Sequence, residues 1–150
     1  MAMSMQEVRS RLSVIESDTQ MYADLGPDEV PVLVELLDDE EAWLASRAVY
    51  ALIRIGTPEA LAAVERAGAS TRDEVRVAVA VSASLLPPEV SDRVLTPLLQ
   101  DHEVGVRKFA IGSVTTGNKE SVQRLVSEMT DAEDAVLRAR SRTRVRDLGR

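Results

Sequence analysis

Between Pro27 and Gly56 the apolar residues fall on two successive stripes at helical spacing. Val30, Leu33, Val34 and Leu37 recur at i, i+3, i+4 and i+7, the signature of one helix face. Pro27 suits a first turn, where its missing N–H is not needed, and Asp28 and Glu29 meet the positive end of the helix dipole. The acidic run Asp38 to Glu41 ends that helix and starts the next, in which Leu44, Ala48, Ala51, Leu52 and Ile55 form a second stripe. Gly56 stands where a helix closes on a left-handed residue, before Thr57 and Pro58 restart the pattern.

The same hairpin recurs along the chain. Glu29, Glu59, Glu89 and Glu120 follow at intervals of 30, 30 and 31, and Leu44, Val75, Val106 and Val136 at 31, 31 and 30. Two registers sharing one period mark a stack of repeats. The pattern predicts helices over 58–68 and 73–86, over 88–99 and 103–114, and from Asn118 to 130 and 133 to 145. Pro97 sits inside the third unit's first helix, where the lost hydrogen bond predicts a kink. The alternation from Val75 to Val81 resembles a strand, but its alignment with 43–55 assigns it to a helix. Residues 4–25, with Val8, Leu12 and Ile15 as a short stripe, read as a degenerate leading unit. The expected organisation is one all-α domain over 1–150: a cap over 1–26 and repeats over about 27–56, 57–86, 87–116 and 117–147.

The segments AVYALIRIGTPEAL, RDEVRVAVA and QDHEVGVRKFA share an acid, a Val-Arg pair, small residues and Gly-x-Pro-Glu. In this the chain resembles HEAT-like repeats of the phycobilin-lyase subtype, over residues 14–145. The resemblance implies a right-handed α-solenoid of about four HEAT-like hairpins, with second helices lining the concave side. It also implies that Arg76 and Arg107 brace the turns between repeats. The first unit departs, with Ala45 in the arginine position, and so does the last, with Leu137 there and Arg138 after it. Members of the family chiefly bind proteins, although a few carry enzymatic or nucleic-acid functions.

Composition narrows the chemistry. With no cysteine the chain has no disulfide, thiolate metal site or thiol nucleophile. No stretch approaches the ~18 apolar residues of a membrane span, and the N-terminus lacks the apolar core of a signal peptide, so a cytoplasmic protein is expected. The net charge of −7 is uneven: residues 1–137 hold 24 acids and 12 bases, whereas Arg138 to Arg150 hold six arginines and one acid. An acidic body is repelled by phosphates, which disfavours nucleic acid and favours a basic or mixed protein partner, whereas the basic tail is either an end cap or a docking segment for an acidic one. Arginines at every second position of a terminal helix spread around its axis, as a polar end cap would have them.

No catalytic constellation stands out, and neither a cofactor nor a metal is expected. HEAT-like deoxyhypusine hydroxylase holds iron with several His-Glu pairs, but this chain has one, His102-Glu103, at a helix start. The acidic runs likewise fall at helix starts, where the dipole accounts for them. Trp43, Arg47, Tyr50 and Arg54 lie at i, i+4, i+7 and i+11 on one side of a second helix, and aromatic and arginine side chains dominate binding hot spots. One and two periods on stand Ala78, Val81, Phe109 and Gly112. The expected contact set is Trp43, Arg47, Tyr50, Arg54, Arg76, Arg107 and Phe109, on a non-enzymatic scaffold or adaptor of unknown oligomeric state. The alternatives are a HEAT-like lyase or chaperone for a cofactor-bearing protein, and a nucleic-acid binder of the alkylpurine glycosylase type.

Overall fold

The computed structural model describes residues 2–13 and 22–149, and every regular element among them is helical. Ile15, assigned above to the leading stripe, and Arg150 lie outside the described residues. The chain forms two compact units, Met1–Ser70 and Thr71–Arg150, so the first helix of the second predicted hairpin falls in one and its second helix in the other. No helix among the described residues is long and apolar enough to cross a membrane.

The first unit holds α1 (Met5–Leu12), α2 (Val30–Leu36), α3 (Ala42–Ile55) and α4 (Pro58–Ala67). Helices α2 and α4 pack together, and α3 packs on both; α1 covers α2 and α3. Val8 and Leu12 of α1 are fully buried, and Arg9 and Arg11 pair with Asp39 and Asp24. The expected stripe of α2 is corrected: Val30, Leu33 and Leu36 are buried, whereas Val34 and Leu37 are half-buried. The element enters through the 3₁₀ turn Pro27–Glu29 and leaves with the Leu37 N–H on the Val34 carbonyl, and threefold winding aligns every third side chain. Helix α3 closes as its sequence requires, on Gly56 at φ 70°. Thr57 then caps α4 by accepting the Ala60 N–H.

The second unit holds α5 (Asp73–Ser82, extended by a 3₁₀ turn Ala83–Leu85), α6 (Pro88–Leu98), α7 (Val104–Ser113), α8 (Glu120–Ser127) and α9 (Ala135–Asp147). Its second helices pack in series, α5 on α7 and α7 on α9, while α6 packs on α8 in a second layer. Each unit thus has the layered helix packing of an α-solenoid. Pro97 is the next-to-last residue of α6, so the missing hydrogen bond falls in the last turn, where the helix is ending. Asn118 does not begin α8, which starts two residues later. Its buried side chain instead donates to Ser91 Oγ (3.1 Å) and Asp92 Oδ1 (2.9 Å) of α6 and accepts the Thr115 N–H (2.9 Å).

The repeat frame of the last unit also shifts. Leu137 is 1% exposed and Val136 is 48% exposed, so the buried column is Leu44, Val75, Val106 and Leu137, at an unbroken interval of 31. Ala48, Val79, Ala110 and Ser141 repeat the interval and are all fully buried. Burial selects the residue because a stacked hairpin needs an aliphatic anchor facing its neighbour. In the corrected frame Arg138, and not Leu137, occupies the arginine position.

Arg76 shows what that position does. Its Nε donates to Asp101 Oδ2 (2.8 Å) and an Nη to Oδ1 (3.2 Å), with both side chains less than 10% exposed. Asp101 also accepts the Glu103 N–H, so the pair ties α5 to the turn before α7. The hydrogen bond to Asp101 raises the Arg76 pKa against the opposing effect of burial. Burial pushes the Asp101 carboxyl up, but the Arg76 and Glu103 donors outweigh it and hold the group below its ordinary 3.8.

Two measurements check this arrangement. Leu137→Ala is expected to lower unfolding free energy by about 2–4 kcal/mol, and Val136→Ala by less than about 0.5 kcal/mol; similar losses in urea melts would refute the shifted frame. Asp101→Asn leaves the Arg76 charge buried and short of its partner, at a cost of about 3 kcal/mol near neutral pH. A depressed carboxyl contributes fully above its unfolded value, near 4, and its contribution is lost as pH falls through the lower folded value. The difference between wild type and variant therefore narrows as the melts are taken below pH about 4.

Candidate partner-binding surface

In the first unit the four-residue stripe of α3 divides by exposure. Trp43 is 44% exposed, and the Arg47 guanidinium lies 5.3 Å from its ring centroid. Arg47 also donates to the Leu12 carbonyl at the end of α1, which holds the stack in place. Tyr50 meets the buried Tyr22 edge to face, with centroids 4.7 Å apart, and Arg54 lies 5.7 and 5.9 Å from those two rings. Arg47 and Tyr50 are half-buried against α1 and the leading segment, whereas Trp43 and Arg54 are the exposed members of the stripe.

The second unit separates the remaining members of the expected set. Arg76 is corrected out of the contact surface, because its guanidinium is buried in the pair with Asp101. Phe109 is 42% exposed, with the Arg140 guanidinium 5.6 Å from its centroid. Arg107 is half-buried and its guanidinium makes no hydrogen bond or ion pair; its Nε is buried without a partner. One period after Asp101 stands Ala132, which explains the difference from Arg76. A 470 Å³ pocket opens there, lined by Arg107, Met129, Ala132 and Leu137, with Glu128 and Glu133 among its other walls.

Projected through the 31-residue interval, the α3 stripe again locates Val81 and Phe109 and adds Leu85, Val136 and Arg140, which the sequence reading had not placed on it. The exposed large apolar side chains among the described residues are Trp43, Val81, Leu85, Phe109 and Val136. Val136 repeats the position of Trp43, Phe109 that of Arg47, Val81 that of Tyr50, and Leu85 that of Arg54. All five thus occupy the four positions of one stripe. Arg140 falls on the Arg47 position as well, and the periodic signal that identifies it was present in the sequence once the last frame is set by Leu137.

The tail arginines are also sorted, contrary to an even spread around the axis. Arg138 donates to the Ala132 and Glu133 carbonyls, and Arg142 to the Thr130 carbonyl and Asp131. Arg140 and Arg144 instead line a 340 Å³ groove with Ile111, Gly112, Ala139 and Thr143. The side chain of His102 is 79% exposed, 3.7 Å from carboxylate oxygens of Asp101 and Glu103. Among the described residues no group of three or more His, Asp or Glu side chains is placed to hold a metal. Asp134 caps α9 by accepting the Leu137 N–H, which lowers its pKa, and Lys108 lies 3.6 Å away.

Residues 20–84 match the family model described as HEAT repeats. No curated protein matches the chain.

The unpaired Arg107 yields a stability test. Ala132→Asp restores the carboxylate that Arg76 already has one period earlier, and is expected to raise unfolding free energy by about 1 kcal/mol, a charge-assisted bond reduced by repulsion from nearby acids. The gain should vanish in the Arg107→Met background; a gain that persists there would have another origin.

Proposed function

We propose, on the match of residues 20–84 to HEAT repeats, that the chain is a non-enzymatic scaffold or adaptor that captures a protein partner on the exposed face of its second helices. The observation that carries this reading is the coincidence of the five exposed large apolar residues among the described ones with one set of repeat positions. Singly exposed apolar residues are ordinary on a protein surface. Their confinement to one set of repeat positions in each unit, with an arginine stacked on the aromatic member of each, gives the mixture of anchor and polar group found at binding hot spots. HEAT repeats commonly mediate protein–protein interaction, and the net charge of −7 favours a protein over a nucleic acid at this surface. The 31-residue interval runs through both units and supports treating 1–150 as one repeat domain.

Trp43, Arg47 and Phe109 are the residues on which the reading stands or fails, with Tyr50 and Arg54 supporting Trp43. Trp43→Ala and Phe109→Ala are each expected to weaken partner binding by about 2 kcal/mol, roughly thirtyfold, with unchanged helical circular dichroism. Capture from native lysate by wild type and variants in parallel checks it. Identical captured species at equal yield from all of them would remove this face from consideration.

A further inference from the structure

We infer that the groove between α7 and α9 receives an acidic amphipathic helix of a partner protein, an assignment that rests on the scaffold reading above. The floor is small and apolar. Ile111, Gly112 and Ala139 leave a cavity of 340 Å³, and a Cβ built on Gly112 would meet nothing within 4 Å, so the depression at that point is open space. Phe109 is exposed on the same helix as Ile111 and Gly112, one helical turn before Gly112, which extends the apolar strip.

One wall of the groove is cationic. Arg140 and Arg144 are four residues apart on α9 and so project on one side at a separation of one turn. Arg140 is held by the Lys108 carbonyl (3.4 Å) and the Phe109 ring, and the Arg144 guanidinium makes no hydrogen bond or ion pair. Arg138 and Arg142, on the other side of the helix, are already satisfied by the turn before α9. A partner helix with carboxylates one turn apart would meet the two guanidinium groups in register, and its neighbouring leucines would fall on the Gly112 and Ala139 floor. Phosphate-rich polymers fit less well. Outside the last helix the chain is strongly acidic, with 24 acids to 12 bases over 1–137, and would repel an extended polyanion that a short peptide does not engage.

The test uses the full chain and a labelled helical peptide of about twenty residues, with leucines at i, i+3 and i+7 and glutamates at i+4 and i+8. Fluorescence anisotropy at physiological salt is expected to show saturable binding. Gly112→Leu, whose Cβ enters open space on the floor, and the Arg140→Glu/Arg144→Glu pair should each weaken it at least about tenfold, with thermal melts confirming the fold. A peptide with lysine in place of glutamate, or with serine in place of leucine, should not bind. The inference is overturned if neither variant alters binding, if the leucine-free peptide binds as well, if a DNA duplex competes at the same salt, or if the groove variants instead abolish self-association of the chain. Absence of peptide binding, with partner capture still lost in Trp43→Ala, would reject the groove and leave the scaffold reading standing. Failure of both would reject the two together.

Discussion

One buried column sets the phase of everything else in this chain. Leu44, Val75, Val106 and Leu137, followed one turn later by Ala48, Val79, Ala110 and Ser141, are each exposed by 1% or less. A short helical hairpin cannot bury its apolar faces by itself, so each second helix must present the same face inward. Once that face is fixed, the positions one residue before the column and ten after it are exposed in every repeat, while those three and six after it vary from buried Ala78 to exposed Phe109. In the second unit α5, α7 and α9 pack in series on this basis, and small residues at Ala80, Ala83 and Ala110 keep the helices close.

The position immediately after the column carries Ala45, Arg76, Arg107 and Arg138, and each resolves its environment differently. Ala45 is simply buried. Arg76 is closed on Asp101 of the following turn, Arg138 folds back on the carbonyls of its own preceding turn, and Arg107 faces a pocket with no acid at the matching place. The same backbone geometry therefore supports a brace, a cap and an open cation. The difference lies in one residue of the following turn, Asp101 against Ala132.

The helical architecture was legible because it rests on periodicity, which single residues rarely obscure. Gly56 announced its cap, and the strand-like run Val75 to Val81 was correctly placed by alignment with α3. Local signals were less dependable where two candidates adjoined. Val136 and Leu137 are both aliphatic, and only packing shows which faces inward. Asn118 has the chemistry of a helix cap, and its use as a bracket to Ser91 and Asp92 depends on α6 lying beside it. Arg76 illustrates the limit for sites: in composition it resembles a hot-spot residue, and its commitment to Asp101 is a tertiary fact.

Trp43 has a further consequence. It is the sole tryptophan of the chain, it lies in the first unit, and a cation stacks on its half-exposed ring. Indole emission is therefore a local optical reporter of α3, sensitive to displacement of Arg47 or to coverage of the ring by another molecule. The second unit, with Phe109 as its one aromatic residue, is nearly silent in the near ultraviolet. A spectrum recorded at those wavelengths thus observes one half of the molecule, and the helices that carry the basic groove go unseen.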